Sequence, residues 1–237
     1  MTNTVKLSKE TIETLTKAAQ IFGSLKIMPN ESCIVTRGDP STIIMKAPIE
    51  EQIPREFNIY DLKLFLKTLT LVEDSLIDFT DDHSVVIYNE SGTVKTTFRD
   101  ATPDLIKTYI DPSRIPDLES ESFTRFKVPA SDFEHIVRVT RTLGHNYIGF
   151  RGDGEHVFLT AFNLQGSGEK TDTFDIVLGD SDQVFYAFYK LELSNISVWS
   201  GEGDLDVKIS ERGISCIDTE TGKRFLTVLD EKSTFDK

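Results

Sequence analysis

Apolar positions along the chain recur at two spacings, three to four residues in some stretches and two in others, and the switches between them mark out the elements. Over residues 8–22, Ile12, Leu15, Ala19 and Phe22 share one side of a helical projection, while Lys9, Glu13, Thr16, Lys17 and Gln20 share the other. This predicts an amphipathic helix opened by Ser8. Residues 61–72 repeat the pattern, with Leu62, Phe65, Leu66, Leu69 and Val72 inward, Lys63, Lys67 and Thr70 outward, and Asp61 at the N-cap. Residues 131–143 give a third helix: Ser131 and Glu134 have capping-box spacing, Phe133, Ile136, Val137 and Thr140 form its inner face, and Arg138, Arg141 and His145 its outer one.

Between the helices, residues 84–88, 94–98, 156–161, 173–178 and 184–189 are short β-branched or aromatic runs separated by Gly, Asn or Asp, the pattern of antiparallel strands. Midway, residues 101–122 lose periodicity, gain acids and contain Pro103, Pro112 and Pro116, as a linker does. The same order of helix, strands, further element and strands recurs on either side, with Leu7-Ser8 and Ala130-Ser131 opening corresponding helices. A duplicated α+β chain is expected: an N-terminal domain over 1–110, a linker over 111–126 and a C-terminal domain over 127–237. Residues 191–199 alternate apolar and polar side chains and so read as a strand, whereas the repeat places a helix there.

The 237 residues include 26 Lys and Arg against 39 Asp and Glu, a net charge of -13. A protein this acidic does not hold nucleic acid by bulk charge. No apolar run is long enough to cross a membrane, and MTNTVKLSKE lacks the apolar centre of a secretory signal, so a soluble, unexported protein without a membrane partner is expected. Cys33 and Cys216 lie far apart and outside any metal spacing, which points to buried, reduced thiols.

Candidate catalytic motifs fail one by one. Residues 166–171, GSGEKT, look like a phosphate loop, but Glu169 stands before Lys170 where a glycine must let the backbone wrap the phosphates. Arg37-Gly38-Asp39 spells an adhesion tripeptide and, with Pro40 after it, reads better as a hairpin turn. His83, His135, His145 and His156 share no metal-ligand spacing, and neither GxSxG nor HExxH occurs. A protein that is not an enzyme and needs no metal or cofactor is expected. What remains is the placement of charge: Glu10, Asp61, Asp132 and Glu134 sit in first helical turns, where they complement the positive end of the helix dipole, and most bases lie further along. The helices would then build a local basic surface on an otherwise acidic protein.

The segments KLSKETIETL, IYDLKLFLKTLTLVED, FKVPASDFEHIVRVTRTL, TFDIVLGD and LDEKSTFD, in this order and at this spacing, resemble the DNA polymerase sliding clamps, specifically those of T-even-type bacteriophages. The similarity spans most of the chain. It implies the DNA clamp fold: two similar domains, each with two helices packed on antiparallel sheets, joined head to tail into a homotrimeric ring around duplex DNA. Helix width tests the subunit number, because helices about 10 Å wide leave an opening of roughly 15 Å when eight stand side by side and roughly 28 Å when twelve do. A duplex roughly 20 Å across needs the larger ring.

The resemblance further implies that the ring tethers the replicative DNA polymerase for processive synthesis and serves other replication and late-transcription proteins. Expected partners are duplex DNA of any sequence, further copies of the chain, DNA polymerase, an ATP-dependent clamp loader and a sigma-like late-transcription factor, in the cytoplasm of the infected bacterial host. Lys9, Lys17, Lys63, Lys67, Arg138, Arg141 and His145 would face DNA. Ile110, Ile115, Leu118, Val228 and Leu229 would line a groove for partner peptides, or, for the linker residues, simply pin the linker to the body. Edge strands carrying Thr93, Thr96 and Phe98 in one domain and Thr173, Ile176 and Leu178 in the other would form the trimer interface. The competing interpretation is a ring- or dimer-forming interaction module that does not encircle DNA and whose basic helix faces are merely solvated.

Overall fold

Two apolar stripes per amphipathic helix-and-sheet pair must be buried together, and the chain does this twice, in units spanning Met1–Ile115 and Pro116–Lys237. The structure, a computed structural model, describes residues 3–29, 31–38, 43–116, 118, 120–164, 170–190 and 196–236. Among these, no helix is long and apolar enough to cross a membrane.

The first unit runs β1 (Thr4–Val5), α1 (Lys9–Ile21), β2 (Leu25–Ile27), β3 (Cys33–Arg37), β4 (Ile43–Pro48), β5 (Phe57–Ile59), α2 (Leu62–Thr70), β6 (Leu76–Asp78), β7 (Ser84–Tyr88) and β8 (Lys95–Arg99). Strands β1, β6, β7 and β8 form one antiparallel sheet in that order, β2 pairs with β5, and β3 pairs with β4. Both helices start where their capping residues predict. The Ser8 hydroxyl accepts the Thr11 amide at 3.1 Å, and the Asp61 carboxylate accepts the Leu64 amide at 2.8 Å.

The inner face of α1 differs from the predicted one, with Thr11, Thr14, Leu15, Ala18 and Ala19 buried and Ile12 only half-buried. Glu51 is the reason: its carboxylate accepts the Ser8 amide and, at 2.6 Å, the Thr11 hydroxyl, drawing the Thr11 side of the helix inward. In α2, Leu62, Phe65, Leu69 and the following Val72 are buried as predicted. Phe65 sits edge-on to Phe57 at 5.3 Å and to Phe98 at 5.2 Å, pairs worth about 0.5–1.5 kcal/mol each beyond the area they bury. Residues 101–110 stay with this unit, because Tyr109 bridges Thr36 and the Arg37 amide donates to the Thr108 carbonyl at 2.7 Å.

The second unit runs β9 (Thr124–Val128), α3 (Ala130–Leu143), β10 (Tyr147–Asp153), β11 (His156–Leu164), β12 (Lys170–Asp180), β13 (Val184–Lys190), β14 (Leu205–Ser210), β15 (Ile214–Thr219), β16 (Arg224–Val228) and β17 (Thr234–Phe235). One sheet has the order β12-β11-β10-β13-β17, and β9, β14, β15 and β16 pair antiparallel in sequence of position. Strand β9 begins at Thr124, inside the stretch 111–126 that reads as linker. Its Thr124, Phe126 and Val128 alternate with Arg125 and Lys127, and Phe126 packs on Phe150 at 4.9 Å.

The capping box expected at Ser131 and Glu134 is not formed. Pro129 presets the backbone at φ -57, the helix opens at Ala130, and the Ala130 amide donates to Asp204 Oδ1 at 2.9 Å, so Ser131 lies within the first turn. Gly144 ends α3 in the left-handed region at φ 67. Phe133, Ile136 and Thr140 face inward, and the Phe133 ring meets Trp199 at 5.8 Å. Of the disputed stretch 191–199, residues 191–195 lie outside the described residues, and Ile196–Trp199 forms a 3-10 turn that buries Trp199, so the alternation there does not make a strand. In GSGEKT, residues 166–169 also lie outside the described residues, as does Asp39 of the adhesion-like tripeptide. Lys170 and Thr171 open β12, where a phosphate loop would need to open a helix.

Charged groups on β14, β15 and β16 are paired rather than excluded. The Lys208 ammonium donates to Asp218 at 2.9 Å and Arg224 to the same carboxylate at 2.6 Å. Burial alone would raise the Asp218 carboxyl, but these hydrogen bonds outweigh it and hold the group below its ordinary range. Burial pushes the Cys216 thiol up to about 12 and raises that of half-buried Cys33, so both are poor nucleophiles at neutral pH.

Close strand packing leaves no room for a side chain at Gly149 or Gly152 of β10. A Cβ on Gly149 of β10 would overlap the Ala187 carbonyl and the Phe188 Cβ on β13, whereas one on Gly179 meets nothing within 4 Å. Gly149→Ala is expected to lower stability by about 1–3 kcal/mol in urea denaturation, the usual cost of overpacking, and Gly179→Ala to leave the midpoint near that of the wild type.

Candidate functional site

Helix rotation decides which charges reach the surface. With Phe65 turned to the sheet, Lys63 and Lys67 project from the far side of α2; both are exposed, and the helix contains no acid to offset them. In α3, burial of Phe133, Ile136 and Thr140 exposes Arg138 and Arg141 on the second half, while Asp132 lies in the first turn. Lys67 and Arg141 stand in the last turns, where the negative helix end favours a cation by about 0.3–1 kcal/mol. None of these four bases has an ion pair among the described residues.

α1 contributes less. Lys9 is exposed but lies 3.7 Å from Glu13 on the same face, Lys17 is half-buried and engaged with neighbours, and Glu10 stands beside them. Its surface is therefore mixed in sign. Within the first unit α1 and α2 are tied together where the Leu62 amide donates to the Gly23 carbonyl at 2.9 Å, so the neutral and basic faces adjoin.

His145 does not belong with the exposed bases. After Gly144 the chain turns inward: the His145 amide donates to the Thr140 carbonyl at 2.9 Å, and the residue is only 5% exposed. Continuing the helical period past the helix end was the error, since a left-handed glycine redirects the next side chain. Neither His145 ring nitrogen has a hydrogen-bond partner among the described residues.

The strands expected to lie at sheet edges do so. Among the described residues β8 pairs only with β7 and β12 only with β11. Thr96, Phe98, Ile176 and Leu178 are half-buried, Thr173 is exposed on β12, and Thr93 is exposed in the turn before β8. Of the expected groove residues, Ile110 and Ile115 belong to the first unit and are half-buried, while Leu118, Val228 and Leu229 belong to the second. Val228 is exposed, and Leu118 and Leu229 are buried.

Sequence reasoning missed two features. The first is a groove of about 630 Å³ in the first unit, lined by Phe22, Arg37, Tyr60, Asp61, Leu105 and Lys107, with Tyr60 and Leu105 largely exposed. Its residues come from the ends of α1, β3 and α2 and from the segment after β8, far apart in sequence, so no single period groups them. The second is the pair Lys95 and Arg99, exposed on the outer row of β8. That alternation is visible in KTTFR, on a strand and so outside the helical faces that carry the other bases.

No family model matches the sequence. The sliding clamp of Vibrio phage KVP40 is 31% identical over 213 residues, covering 89% of this chain and 93% of that protein. The sliding clamps of Escherichia phage RB69 and Enterobacteria phage T4 are 25% and 26% identical, each covering 83% of this chain and 84% of theirs. Among solved structures, the Helicobacter pylori beta clamp bound to a DNA ligase peptide superimposes with a TM-score of 0.70 at 14% identity, over 96% of this chain and 65% of that one. The proliferating cellular nuclear antigen of Entamoeba histolytica does so with a TM-score of 0.69 at 13% identity, over 96% of this chain and 98% of that one. At these identities the superpositions speak to fold alone: the architecture is that of the DNA clamps.

The inward turn at His145 has a chemical signature. In the native protein, diethylpyrocarbonate should acylate exposed His83 and His135 and spare His145, and unfolding should expose it. Mass mapping of modified peptides reads this directly, and early modification of His145 would contradict its burial.

Proposed function

The chain belongs to the phage DNA polymerase sliding clamps, and from that premise we propose that its copies close into a homotrimeric ring that encircles duplex DNA and tethers the replicative polymerase for processive synthesis. The observation that carries this reading is the set Lys63, Lys67, Arg138 and Arg141, exposed bases without ion pairs among the described residues, on the outer faces of α2 and α3 in a chain of net charge -13. Such bases attract phosphate without reading bases, which suits movement along any sequence. Lys9 and Lys17 add little, because acids share their face.

Retention by a closed ring is topological, so the phosphate contacts can be weak enough to slide. The acidic remainder of the surface repels DNA and keeps it from adhering outside the ring. A scaffold of this kind needs no catalytic group, and opening it falls to a separate ATP-driven loader. The polymerase, the loader and a sigma-like late-transcription factor are the partners this reading assigns, in the infected bacterial host. The H. pylori clamp is bound to a DNA ligase peptide; here the groove that sets exposed Tyr60 and Leu105 beside Arg37, Asp61 and Lys107, with Ile110 on the segment that follows, is a concave surface of mixed polarity suited to partner tails.

Replacing Lys63, Lys67, Arg138 and Arg141 together by Glu tests the assignment. Exposed changes of this kind usually alter stability by less than about 0.5 kcal/mol each, so the melting temperature and solution mass should stay near wild type. Processive synthesis in a reconstituted reaction with polymerase and loader should collapse. Wild-type processivity at physiological salt would remove these residues from the DNA-facing set.

A further inference from the structure

Where β5, the turn between β6 and β7, and the end of β8 meet, the first unit holds a cavity of about 830 Å³ whose lining includes Glu56, Asn58, Asp81, Asp82, Arg99 and Asp100. Backbone bonds build its walls. The Asp100 amide donates to the His83 carbonyl and the Ala101 amide to the Asn58 carbonyl, both at 2.9 Å, so the chain leaving β8 is tied to two neighbouring elements. Arg55 braces the same corner, donating to the Glu56 and Ser84 carbonyls, each at 2.8 Å, and to Asp100 Oδ2. The cavity is therefore set in a hydrogen-bonded frame that exists before any ligand arrives.

Two acceptors in these walls lack a donor. Asn58 is 5% exposed; its side-chain amide donates to Glu56 Oε1 at 2.8 Å, and its Oδ1 has no hydrogen-bond partner among the described residues. The Asp100 side chain is 7% exposed; Oδ2 is turned to Arg55, and Oδ1 likewise has no partner. Burial, the largest influence on Asp100, raises its carboxyl above the ordinary range even beside Arg55, so the charge is incompletely compensated. A buried oxygen left in this state has given up water without replacement, which is costly and rare in native proteins. Since both atoms are acceptors, what is missing is a donor. The terminal torsions of Asp and Asn are broad, so either oxygen can swing toward a group that enters the cavity.

The charge of the lining sets the sign of that donor. Lys26 pairs with Glu56 at 3.1 Å and Arg55 with Asp100, but Asp81 and Asp82 are exposed and have no ion pair among the described residues, and Arg99 is the one lysine or arginine on the lining. Asp81 accepts the His83 amide and the Ser84 hydroxyl, bonds that hold its carboxyl below the ordinary range and keep it ionised. A metal ion does not suit the site, because among the described residues no three His, Cys, Asp or Glu side chains come close enough to share one. A guanidinium prefers both oxygens of one carboxylate, and Asp100 already gives one to Arg55. An alkylammonium suits it: its N–H groups donate in several directions, and a flexible alkyl chain lets a second ammonium stay beside the exposed acids.

We propose that this cavity binds an alkyl diamine or polyamine, one ammonium donating to Asn58 Oδ1 and Asp100 Oδ1 and another pairing with Asp81 and Asp82. The site lies within the first unit and does not depend on how copies of the chain assemble. Isothermal titration of the full chain with 1,4-diaminobutane at low salt should show a single saturable site. Asp100→Asn, and separately Asp81→Asn/Asp82→Asn, should weaken binding about tenfold or more, the loss expected when a charge-assisted hydrogen bond goes. The double variant alters exposed side chains only, so it tests the site even where a lowered melting temperature shows that Asp100→Asn disturbs the fold. Butylamine, with its single ammonium, should bind more weakly than the diamine, and magnesium chloride should compete no better than sodium chloride of equal ionic strength. Equal affinity in the wild type and the double variant would reduce the binding to general attraction by an acidic protein and overturn the site, as would the lack of a saturable phase. Tighter binding of Nα-acetyl-lysine amide than of the diamine would overturn the small-molecule ligand and give the cavity to a lysine on a partner protein.

Discussion

An aromatic wedge between helix and sheet fixes the rotation of α2 and α3, and the exposed charge pattern follows from it. Phe65 is seated against Phe57 and Phe98 in the first unit, and Phe133 against Trp199 in the second. A helix held by such a ring cannot roll, so Lys63 and Lys67 stay on the side away from the sheet, as do Arg138 and Arg141. Phe98 also belongs to β8, so the contact that orients α2 anchors an edge strand with its helix side inward. The basic helix face and the exposed outer row of β8 are thus two consequences of one packing cluster.

Charge placement resolves an apparent conflict between a net charge of -13 and attraction for a polyanion. Sequence-independent affinity scales with the phosphates neutralised, and long-range fields fade within about 8–10 Å in physiological salt. What matters to a phosphate beside α2 is the local pair of lysines and the absence of acid on that helix. In α3 the acids are confined near the N-terminus and the arginines to the second half, which suits the helix dipole and leaves a basic patch of limited extent. Weak local attraction combined with overall repulsion is what sliding requires, and a uniformly basic protein would stick.

Much of this was legible in the sequence, and the failures share a cause. Ser8 and Asp61 cap the helices they were expected to cap, the apolar stripe of α2 is the buried one, and 95–98 and 173–178 lie on edge strands, because each of these depends on short-range pattern. The misreadings involve residues whose roles are set by distant partners. Thr11 turns inward because Glu51 receives its hydroxyl, and α3 is capped by Asp204, far along the chain. His145 is drawn inside by the turn at Gly144. Residues 196–199 end an alternating stretch, but Trp199 is placed by packing against Phe133 and Phe225, and a short 3-10 turn has no period of its own to announce it.

The central claim, that the chain holds DNA by enclosing it, is tested most directly by loading it onto covalently closed circular DNA with a loader and ATP, then cutting the circle once with a restriction enzyme. Enclosure predicts that the protein co-elutes with the intact circle through salt that abolishes binding to a short open duplex, and that it is lost within minutes of linearisation. Equal retention on circular and linearised DNA would contradict enclosure and leave the basic helix faces as an ordinary binding surface.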